Sequence, residues 1–394
     1  MVVIPHQGES TGEDKDLDYR IRGIGLEQSS ENLMSFLRQK LNLEANVVGR
    51  VKSFAVSHKG ESKVAVISLK PRPMCLSTPG REEWIFGPES EDDDTLITVD
   101  THFRGVTVLY APTQASPHTI DICAVAGLGG HAWGSFKHKG GSQSSYMWIL
   151  DALSKDFPTA RIMVYGSKTR LERDESTQQS LEELGHLLRS EMLTVRNRRT
   201  LSNMSVVEPS LAVPSIFIAH SLGGLTVKEA LLQEKEHPVR GSFIDTLHGA
   251  LFFGVPSHGM QINGLRAIIR GRPNRTLIES LSYQSDTLLR LSQRFNAQFG
   301  DSRPRIIYFY ETERSFTPKF SNGRWRMEGT PKDFLINKDS ATDGKCWTPD
   351  PVDIHPLNRD HSGLVKFSSP DDGDLERVRI ELTNLLEYPS SRRL

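Results

Sequence analysis

The spacing of apolar positions changes near residue 95, which divides the chain into two regions of different architecture. Between about Leu17 and Leu69, short apolar runs surround one helical pattern. The runs "DYRIRGI", "VVGRVKSFAVS" and "KVAVISL" are typical of strands, and Leu33, Leu37 and Leu41 recur at helical spacing after the first run. The sequence therefore predicts strand, helix, strand and strand, which form a small α+β module.

This order of elements resembles half of a ferredoxin-like fold of the RNA-recognition type. Sheets of that type hold bases by stacking them on aromatic side chains, and "KVAVISL" has no aromatic residue. We therefore expect a protein-contact module rather than an RNA reader. The stretch from Lys70 to Thr95 is rich in proline and glycine and contains the acidic run "ESEDDD", a composition typical of a surface linker. The predicted domains are residues 1–94 and 95–394.

In the second region, apolar runs with the length of strands alternate with helical patterns. The runs, in chain order, are "GVTVLY", "TIDICAVAG", "ARIMVYGS", "SIFIAHS", "GALFFGVPS", "RIIYFYE" and "DFLIN". Between "GALFFGVPS" and "RIIYFYE", one long helical stretch from Leu277 to Phe295 has its leucines on one face. Several strands are apolar on both faces, which indicates a mostly parallel sheet covered by helices on both sides. The predicted fold class is α/β, doubly wound.

Composition narrows the expected partners and location. The 394 residues include 48 basic and 49 acidic side chains, so no bulk field attracts nucleic acid, and nucleic-acid binding is not expected. Cys75, Cys123 and Cys346 are too few and too far apart for a disulfide framework or a close-spaced zinc site, and we expect no metal or cofactor. Without a secretory signal or an apolar run of ~18 residues, the protein is expected to be intracellular and cytoplasmic. The sequence is compatible with peripheral contact with a membrane.

Ser221 follows the run "SIFIAH" and precedes a helical pattern that begins at Leu222. In a doubly wound sheet, ligands bind beyond the carboxyl ends of the strands, which is where this serine falls. The residues Ala219-His220-Ser221-Leu222-Gly223 differ at one position from G-x-S-x-G, the motif of a nucleophile on a strand-to-helix turn. Such a turn exposes the hydroxyl and aims helix N–H groups at the same point. The pattern favours a nucleophile over a structural turn.

A serine that attacks a carbonyl needs donors for the oxyanion and a base for its own proton. The N–H of Leu222, directly after the serine, is the first candidate donor. The second comes from the loop after an earlier strand, where the glycine-rich stretch "AGLGGHAWG" contains Leu128. The base should lie in a loop before the last helix, and His361 in "NRDHSGLVKF" has that position. His355 is its nearest rival.

Four residues are candidates for the acid that would orient the histidine. Glu311 ends the strand "RIIYFYE", Glu313 lies two residues further, Asp339 follows "FLIN", and Asp360 adjoins the histidine. The acid should stand at the end of the strand that follows "GALFFGVPS", which favours Glu311 and leaves Asp339 as the alternative. Asp360 is disfavoured because neighbouring side chains diverge.

The order and spacing of these stretches resemble the α/β-hydrolase family, in particular its lipase-like branch, which includes the serine active-site-containing proteins and many fungal proteins. The matching stretches are "GLGGHAWGSFKH", "FPTARIMVYGS", "IFIAHSLGGLTVKEALL", "LFFGVPSHGM", "IIYFYET" and "RDHSGLVKF", which span about residues 95–387. The resemblance implies a stand-alone esterase or lipase that works through an acyl-enzyme, with Ser221 as nucleophile, His361 as base and Glu311 as acid.

Two positions depart from the family pattern. Members commonly have His-Gly before the oxyanion loop and glycine before the elbow histidine, where this chain has Ala126-Gly127 and Ala219. These changes bear on the shape of the oxyanion hole. Two other functions fit the same sequence, a non-catalytic signalling or scaffold protein and an acyltransferase or thioesterase of a biosynthetic pathway. The expected substrate is a small-molecule or lipid ester, and the N-terminal module is the candidate surface for a protein partner.

Overall fold

The structure is a computed structural model that describes residues 17–88, 96–112, 117–139, 145–169, 179–202, 213–239, 242–269, 272–299, 304–321, 324–348 and 353–387. Contacts along the chain divide it into two compact units, Met1–His102 and Phe103–Leu394. Among the helices in the stretches given above, none combines the length and the apolar character needed to cross a bilayer.

The first unit contains a five-stranded antiparallel sheet. Its elements are β1 (Leu17–Ile24), α1 (Leu33–Lys40), β2 (Val48–Val56), β3 (Lys63–Lys70), β4 (Glu83–Phe86) and β5 (Ile97–Asp100). The strands lie in the order β2-β3-β1-β5-β4. Apolar residues of β1, α1, β3 and β4, such as Tyr19, Leu37, Ile67 and Trp84, share one buried cluster. The predicted order of strand, helix, strand and strand is thus present.

The structure moves the predicted domain boundary from residue 95 to the division between His102 and Phe103. The reason is the pairing of β5, which follows the linker in sequence but lies antiparallel to β1, with Ile21 opposite Val99. A domain of residues 1–94 would therefore lack one strand of its own sheet. The ferredoxin-like resemblance stays a prediction, because between β3 and β4 the structure has a short 3₁₀ turn, Met74–Leu76, and no second helix in residues 71–82.

The second unit contains eleven strands in the part of the chain that the structure describes. They are β6 (Gly105–Tyr110), β7 (Ile120–Val125), β8 (Lys137–Lys139), β9 (Ser145–Met147), β10 (Ala160–Gly166), β11 (Ser215–His220), β12 (Leu247–Phe253), β13 (Arg305–Glu311), β14 (Ser315–Ser321), β15 (Arg324–Asp333) and β16 (Ile354–Leu357), of which β8 with β9 and β14 with β15 form separate ribbons. The others form one sheet in the order β16-β13-β12-β11-β7-β10-β6. Only the pair β10 and β6 is antiparallel in this sheet.

The central strands are covered on both faces. Every residue of β7 and of β10 is buried, which requires cover on both sides of the sheet. The helices are α2 (Trp148–Asp151), α3 (Leu153–Asp156), α4 (Leu181–Ser202), α5 (Leu222–Glu236), α6 (Asn263–Ile269), α7 (Arg275–Ser280), α8 (Asp286–Phe299), α9 (Lys338–Ala341) and α10 (Gly373–Glu387). The prediction of a doubly wound, mostly parallel α/β sheet is confirmed.

The strand order reverses between β7 and β11. From β7 the chain crosses to β10 on one side, returns to β11 on the other side, and continues outward through β12, β13 and β16. At such a switch point the connections leave in opposite directions, which opens a crevice beyond the carboxyl ends of the strands. The topology therefore places the loops that follow β7 and β11 at this crevice.

Two predicted elements differ from the structure. The long helix expected from Leu277 to Phe295 is two helices, α7 and α8, because Gln284 between them has φ 62°, which a right-handed helix cannot continue. The run "DFLIN" is not a strand beyond Asp333. The N–H groups of its Leu335 and Ile336 bind the side chain of Glu311 and not a neighbouring strand.

Candidate functional site

Ser221 occupies the sharp turn between β11 and α5. Its backbone has φ 53° and ψ −128°, a conformation that is strained for a residue with a side chain. The Ser221 N–H donates to the Phe253 carbonyl of β12 at 2.9 Å, and the Ser221 carbonyl accepts the Gly224 N–H at 2.9 Å. The strained turn is therefore held by the sheet on one side and by the new helix on the other.

Small residues let α5 begin this close to the sheet. A Cβ at Gly223 would lie 2.6 Å from the Val125 carbonyl oxygen, and one at Gly224 would lie 2.2 Å from a methyl group of Val255. Ala219, where the motif has glycine, is fully buried within β11. Glycine is therefore required at positions 223 and 224, after the serine, whereas Ala219 fits within β11.

The glycine-rich loop after β7 is anchored beside this turn. The Gly129 N–H donates to the carbonyl and hydroxyl oxygens of Thr169, at 3.1 and 3.2 Å. Within the described stretches, neither the Leu128 N–H nor the Leu222 N–H has a hydrogen-bond acceptor. Both N–H groups that the sequence predicts as oxyanion donors are therefore available to a ligand.

Gly127 is the residue at which this loop contacts the serine turn. A Cβ there would lie 2.8 Å from the Ser221 Cβ and 3.0 Å from the His220 carbonyl oxygen. Gly127→Ala is therefore expected to lower the free energy of unfolding by about 1–3 kcal/mol, the usual cost of overpacking, which urea titration measures. Gly134→Ala is the matched control, because its Cβ would lie 3.6 Å from the nearest atom, His131 Cβ. Equal stability of the two variants would contradict the expectation.

Glu311 and His361 form a buried, hydrogen-bonded pair. Glu311 is the last residue of β13, and its Oε2 lies 2.9 Å from His361 Nδ1. Its Oε1 accepts the N–H groups of Leu335 at 2.8 Å and Ile336 at 3.1 Å. The side chains of His361 and Glu311 are 8% and 1% exposed. With Nδ1–H donated to the carboxylate, the imidazole is fixed in orientation and its Nε2 has the lone pair that accepts a proton.

The His361 ring packs against both sides of the serine turn. The rings of His220 and His361 have centroids 4.8 Å apart, and His220 Nε2 lies 3.0 Å from the His361 carbonyl oxygen. A Cβ at Gly254, the residue after Phe253, would lie 3.0 Å from two atoms of the His361 ring. No hydrogen bond joins the Ser221 hydroxyl to His361 in the residues described. His361 therefore lies beside the serine turn, in contact with the residue before Ser221.

His220 is a neutral ring in this arrangement. Burial, followed by the neighbouring His361, lowers the pKa of His220 well below its usual range. A neutral imidazole with its proton on Nε2 donates to the His361 carbonyl. His220 therefore supports the loop of His361 without adding a charge to the crevice.

Further contacts fix the loop that carries His361. The His361 N–H donates to the Ser315 hydroxyl at 3.1 Å. Two residues earlier, the Arg359 guanidinium binds Asp372 at 2.6 Å and Asp374 at 2.9 Å. These charge-assisted bonds tie the loop to the start of α10. The histidine is thus held through its backbone as well as its ring.

The other predicted acids and histidines lie elsewhere. Asp339 contacts His258, with 2.9 Å between its Oδ2 and the ring Nδ1. Asp360 accepts the backbone N–H three residues further along its own loop at 2.8 Å. Glu313 is exposed, and His355 faces a carboxylate of α10 at 3.6 Å. Of the four candidate acids, Glu311 is the one that contacts His361 in the described chain.

These turns all lie beyond the carboxyl ends of the strands, around the switch point between β7 and β11. The arrangement comprises a serine on a strained strand-to-helix turn, a glycine-rich loop after an earlier strand, and a hydrogen-bonded pair of a glutamate and a histidine that follow in chain order. Together with the doubly wound sheet, it defines one fold. The second unit has an α/β-hydrolase fold.

Known proteins similar to this chain were found by sequence and by structure, although no family model matches it. Protein SERAC1 from Mus musculus is 26% identical over 226 residues, which are 54% of this chain and 33% of that protein. Protein SERAC1 from Bos taurus is 25% identical over 279 residues, which are 67% and 40%. The chain thus spans 33% to 40% of the length of these relatives. The mature lipase BlEst2 from Bacillus licheniformis is 14% identical with a TM-score of 0.40, over 71% of this chain and 97% of that one.

The second unit also contains a buried polar cluster that the sequence patterns do not predict. Lys228 of α5 and Asp343, just after α9, have fully buried side chains and form an ion pair at 2.9 Å. His258 lies beside Asp343, at 3.4 Å. The one signal in the sequence is a lysine inside the apolar helical run "GLTVKEALL", since an unpaired charge is not buried without cost.

Proposed function

We propose that the chain is a serine hydrolase that cleaves carboxylic esters. Ser221 is the nucleophile, His361 the general base, and Glu311 the acid that orients the imidazole. The observation that carries the proposal is the buried Glu311–His361 pair, joined at 2.9 Å, beside a serine in a strained positive-φ turn. The fold alone hosts many chemistries, whereas this set of side chains supports nucleophilic attack on an acyl carbonyl.

In the proposed reaction, Ser221 Oγ attacks the ester carbonyl carbon while His361 Nε2 takes the hydroxyl proton. The carbonyl oxygen becomes an oxyanion, which the N–H groups of Leu222 and Leu128 bind. When the tetrahedral intermediate collapses, the alcohol leaves with the proton from His361, and the acyl group stays on Ser221. Water then attacks the acyl carbon and gives a proton to the same imidazole. When this second intermediate collapses, the bond to Ser221 Oγ breaks, Oγ takes the proton back from His361, and the carboxylic acid is released.

The charges around the crevice favour this sequence of steps. Glu311 offsets the positive charge that His361 gains, and two N–H groups hold its second oxygen in place. The first turn of α5 adds the positive end of a helix dipole near the oxyanion. The low pKa of His220 keeps a second positive charge away from the imidazolium, whose ring centroid is 4.8 Å distant.

A fluorophosphonate probe tests the nucleophile and the acid together. We expect the wild-type protein to be labelled at Ser221, as mapped by mass spectrometry, and Ser221→Ala to be unlabelled, because the probe requires an activated hydroxyl. Glu311→Gln keeps the side-chain shape but cannot offset the imidazolium charge, so the labelling rate should fall by about 10³- to 10⁴-fold.

Glu313→Gln is the matched control for the acid. Glu313 has the same side chain, lies two residues further along the chain and is exposed, so its variant should be labelled at the wild-type rate. A wild-type protein that the probe does not label would overturn the proposed nucleophile. Labelling of Glu311→Gln at the wild-type rate would overturn the proposed acid.

A further inference from the structure

His258, in the loop after β12, lies between the carboxylates of Asp339 and Asp343. Its Nδ1 is 2.9 Å from Asp339 Oδ2, and its Nε2 is 3.4 Å from Asp343 Oδ1. A neutral imidazole has one N–H, whereas the imidazolium has a donor on each nitrogen. The two carboxylates therefore favour the cationic ring.

The segment that carries these carboxylates also carries the N–H groups that bind Glu311. Leu335 and Ile336, whose N–H groups donate to Glu311 Oε1, lie just before α9. Asp339 lies within α9 and Asp343 two residues after its end. We call residues 335–343 the acid cradle. A contact that holds α9 therefore also sets the position of the two N–H groups that fix the acid.

Backbone contacts join His258 to the acid cradle as well. The His258 N–H donates to the Ser340 hydroxyl at 3.0 Å, and that hydroxyl donates to the Gly259 carbonyl at 2.6 Å. The Ser257 N–H donates to the Ser340 carbonyl at 3.1 Å. The loop after β12 and the acid cradle are thus connected at the backbone and, through His258, at the side chains.

Around His258, the Lys228–Asp343 pair is buried, whereas His258 and Asp339 both reach solvent. Lys228 and Asp343 have fully buried side chains, and the Lys228 ammonium binds Asp343 Oδ2 at 2.9 Å. The Trp347 indole N–H donates to Asp339 Oδ1 at 2.6 Å. The His258 side chain is 35% exposed, so its proton exchanges with water while the buried pair keeps its charges.

We propose that His258 is a positioning residue whose imidazolium locks the acid cradle onto Glu311, and that loss of its proton loosens the cradle and lowers turnover at alkaline pH. The effect on turnover rests on the proposed function. The effect on the cradle does not, because it follows from the contacts of His258 alone. His258 lies outside the reacting groups and acts through Leu335 and Ile336.

The direction of the pH effect follows from the charges. The hydrogen bond to Asp343, opposed by partial burial and aided by Asp339, raises the pKa of His258 above its usual value. A group whose pKa is raised on folding stabilises the fold fully below its unfolded pKa, and that stabilisation is lost as pH rises through the folded value. The acid cradle is therefore tightest below the pKa of His258 and loosens as pH rises through that pKa.

The variant Asp339→Asn tests whether His258 acts through its charge or only through packing. The amide keeps an oxygen for His258 Nδ1 but removes the charge, so the alkaline limb of the kcat/KM profile should move to lower pH by roughly one unit. His258→Gln removes the titrating group, so this alkaline limb should disappear and kcat/KM at neutral pH should fall by about tenfold. His186→Gln, an exposed histidine on α4, is the control and should keep the wild-type profile.

Amide hydrogen exchange of Leu335 and Ile336 reports on the cradle without catalysis. After correction for the intrinsic pH dependence of exchange, protection of these two amides in the wild type should decrease as pH rises, and in His258→Gln it should be low and independent of pH. Constant wild-type protection across the range, or an alkaline limb that both variants retain, would overturn the proposal. If the wild type has no Ser221-dependent turnover, the proposed function fails, and the exchange result still decides the role of His258.

Discussion

Replacing Ser221 with alanine is expected to lower ester turnover by about four to six orders of magnitude. The change removes the proposed attacking oxygen and leaves the proposed donors at Leu222 and Leu128, so any residual rate would reflect binding and oxyanion stabilisation alone. Alanine fits the turn because the strained backbone is held by hydrogen bonds of the Ser221 N–H and carbonyl, not of its hydroxyl. Turnover of esters that differ in acyl chain length, measured for both proteins, gives the ratio and the preferred chain length.

Ser190→Ala is the control for this experiment, because Ser190 is exposed on α4. Its turnover should equal that of the wild type, and circular dichroism and urea unfolding should show that Ser221→Ala is folded. A folded Ser221→Ala protein that hydrolyses the same esters at the wild-type rate would remove Ser221 from the mechanism.

Asp343→Ala should be the most destabilising single change, with a loss of about 3–5 kcal/mol in the free energy of unfolding. The variant leaves the Lys228 ammonium fully buried without its carboxylate at 2.9 Å. The aromatic ring of Phe295, with its centroid 5.1 Å from Lys228 Nζ, and the Ser257 hydroxyl at 2.8 Å remain as weaker partners. Urea unfolding at neutral pH measures the loss.

A double variant separates the buried charge from the loss of shape. Lys228→Met combined with Asp343→Asn removes both charges, so it should recover most of the stability that Asp343→Ala loses. Glu279→Ala breaks the exposed ion pair of Glu279 with Arg275, which are 2.8 Å apart, and should cost about 1 kcal/mol or less. A single variant Asp343→Ala no less stable than Glu279→Ala would show that the buried pair does not stabilise the fold.

Local patterns were sufficient to predict the main sheet. Runs such as "SIFIAH" are apolar on both faces, and burial on both faces is what a central parallel strand needs, so the doubly wound fold followed from periodicity. The membership of β5 did not follow, because it depends on pairing of Ile97–Asp100 with a strand almost eighty residues earlier. Pairing at that distance leaves no trace in the local spacing of apolar residues.

The candidate site residues whose positions follow from chain order were predictable from the sequence. The choice between the candidate acids depends on tertiary contacts, so the sequence left it undetermined. Ser221 and His361 each hold a position that the order of strands and helices fixes. Glu311 and Asp339 both follow apolar runs, and the choice between them depends on how residues 335–336 fold back onto β13. The run "DFLIN" has the composition of a strand, so its role as a source of N–H groups for a carboxylate could not be seen in the sequence.

Several expectations from the sequence stay predictions. They are the small-molecule or lipid nature of the ester, the contact of the first unit with a protein partner, and the intracellular location. The effect of Ala126 on the oxyanion hole also stays a prediction. The ester panel bears directly on the first of these.

The ribbon of β14 and β15 starts and ends at the acid. Glu311 lies four residues before β14, and Leu335, two residues after β15, binds the Glu311 carboxylate at 2.8 Å. A loop whose two ends are already joined changes its length at little entropic cost. Residues between Thr317 and Asp333 can therefore be lengthened, shortened or exchanged during evolution, or grafted in the laboratory, while the acid keeps its place.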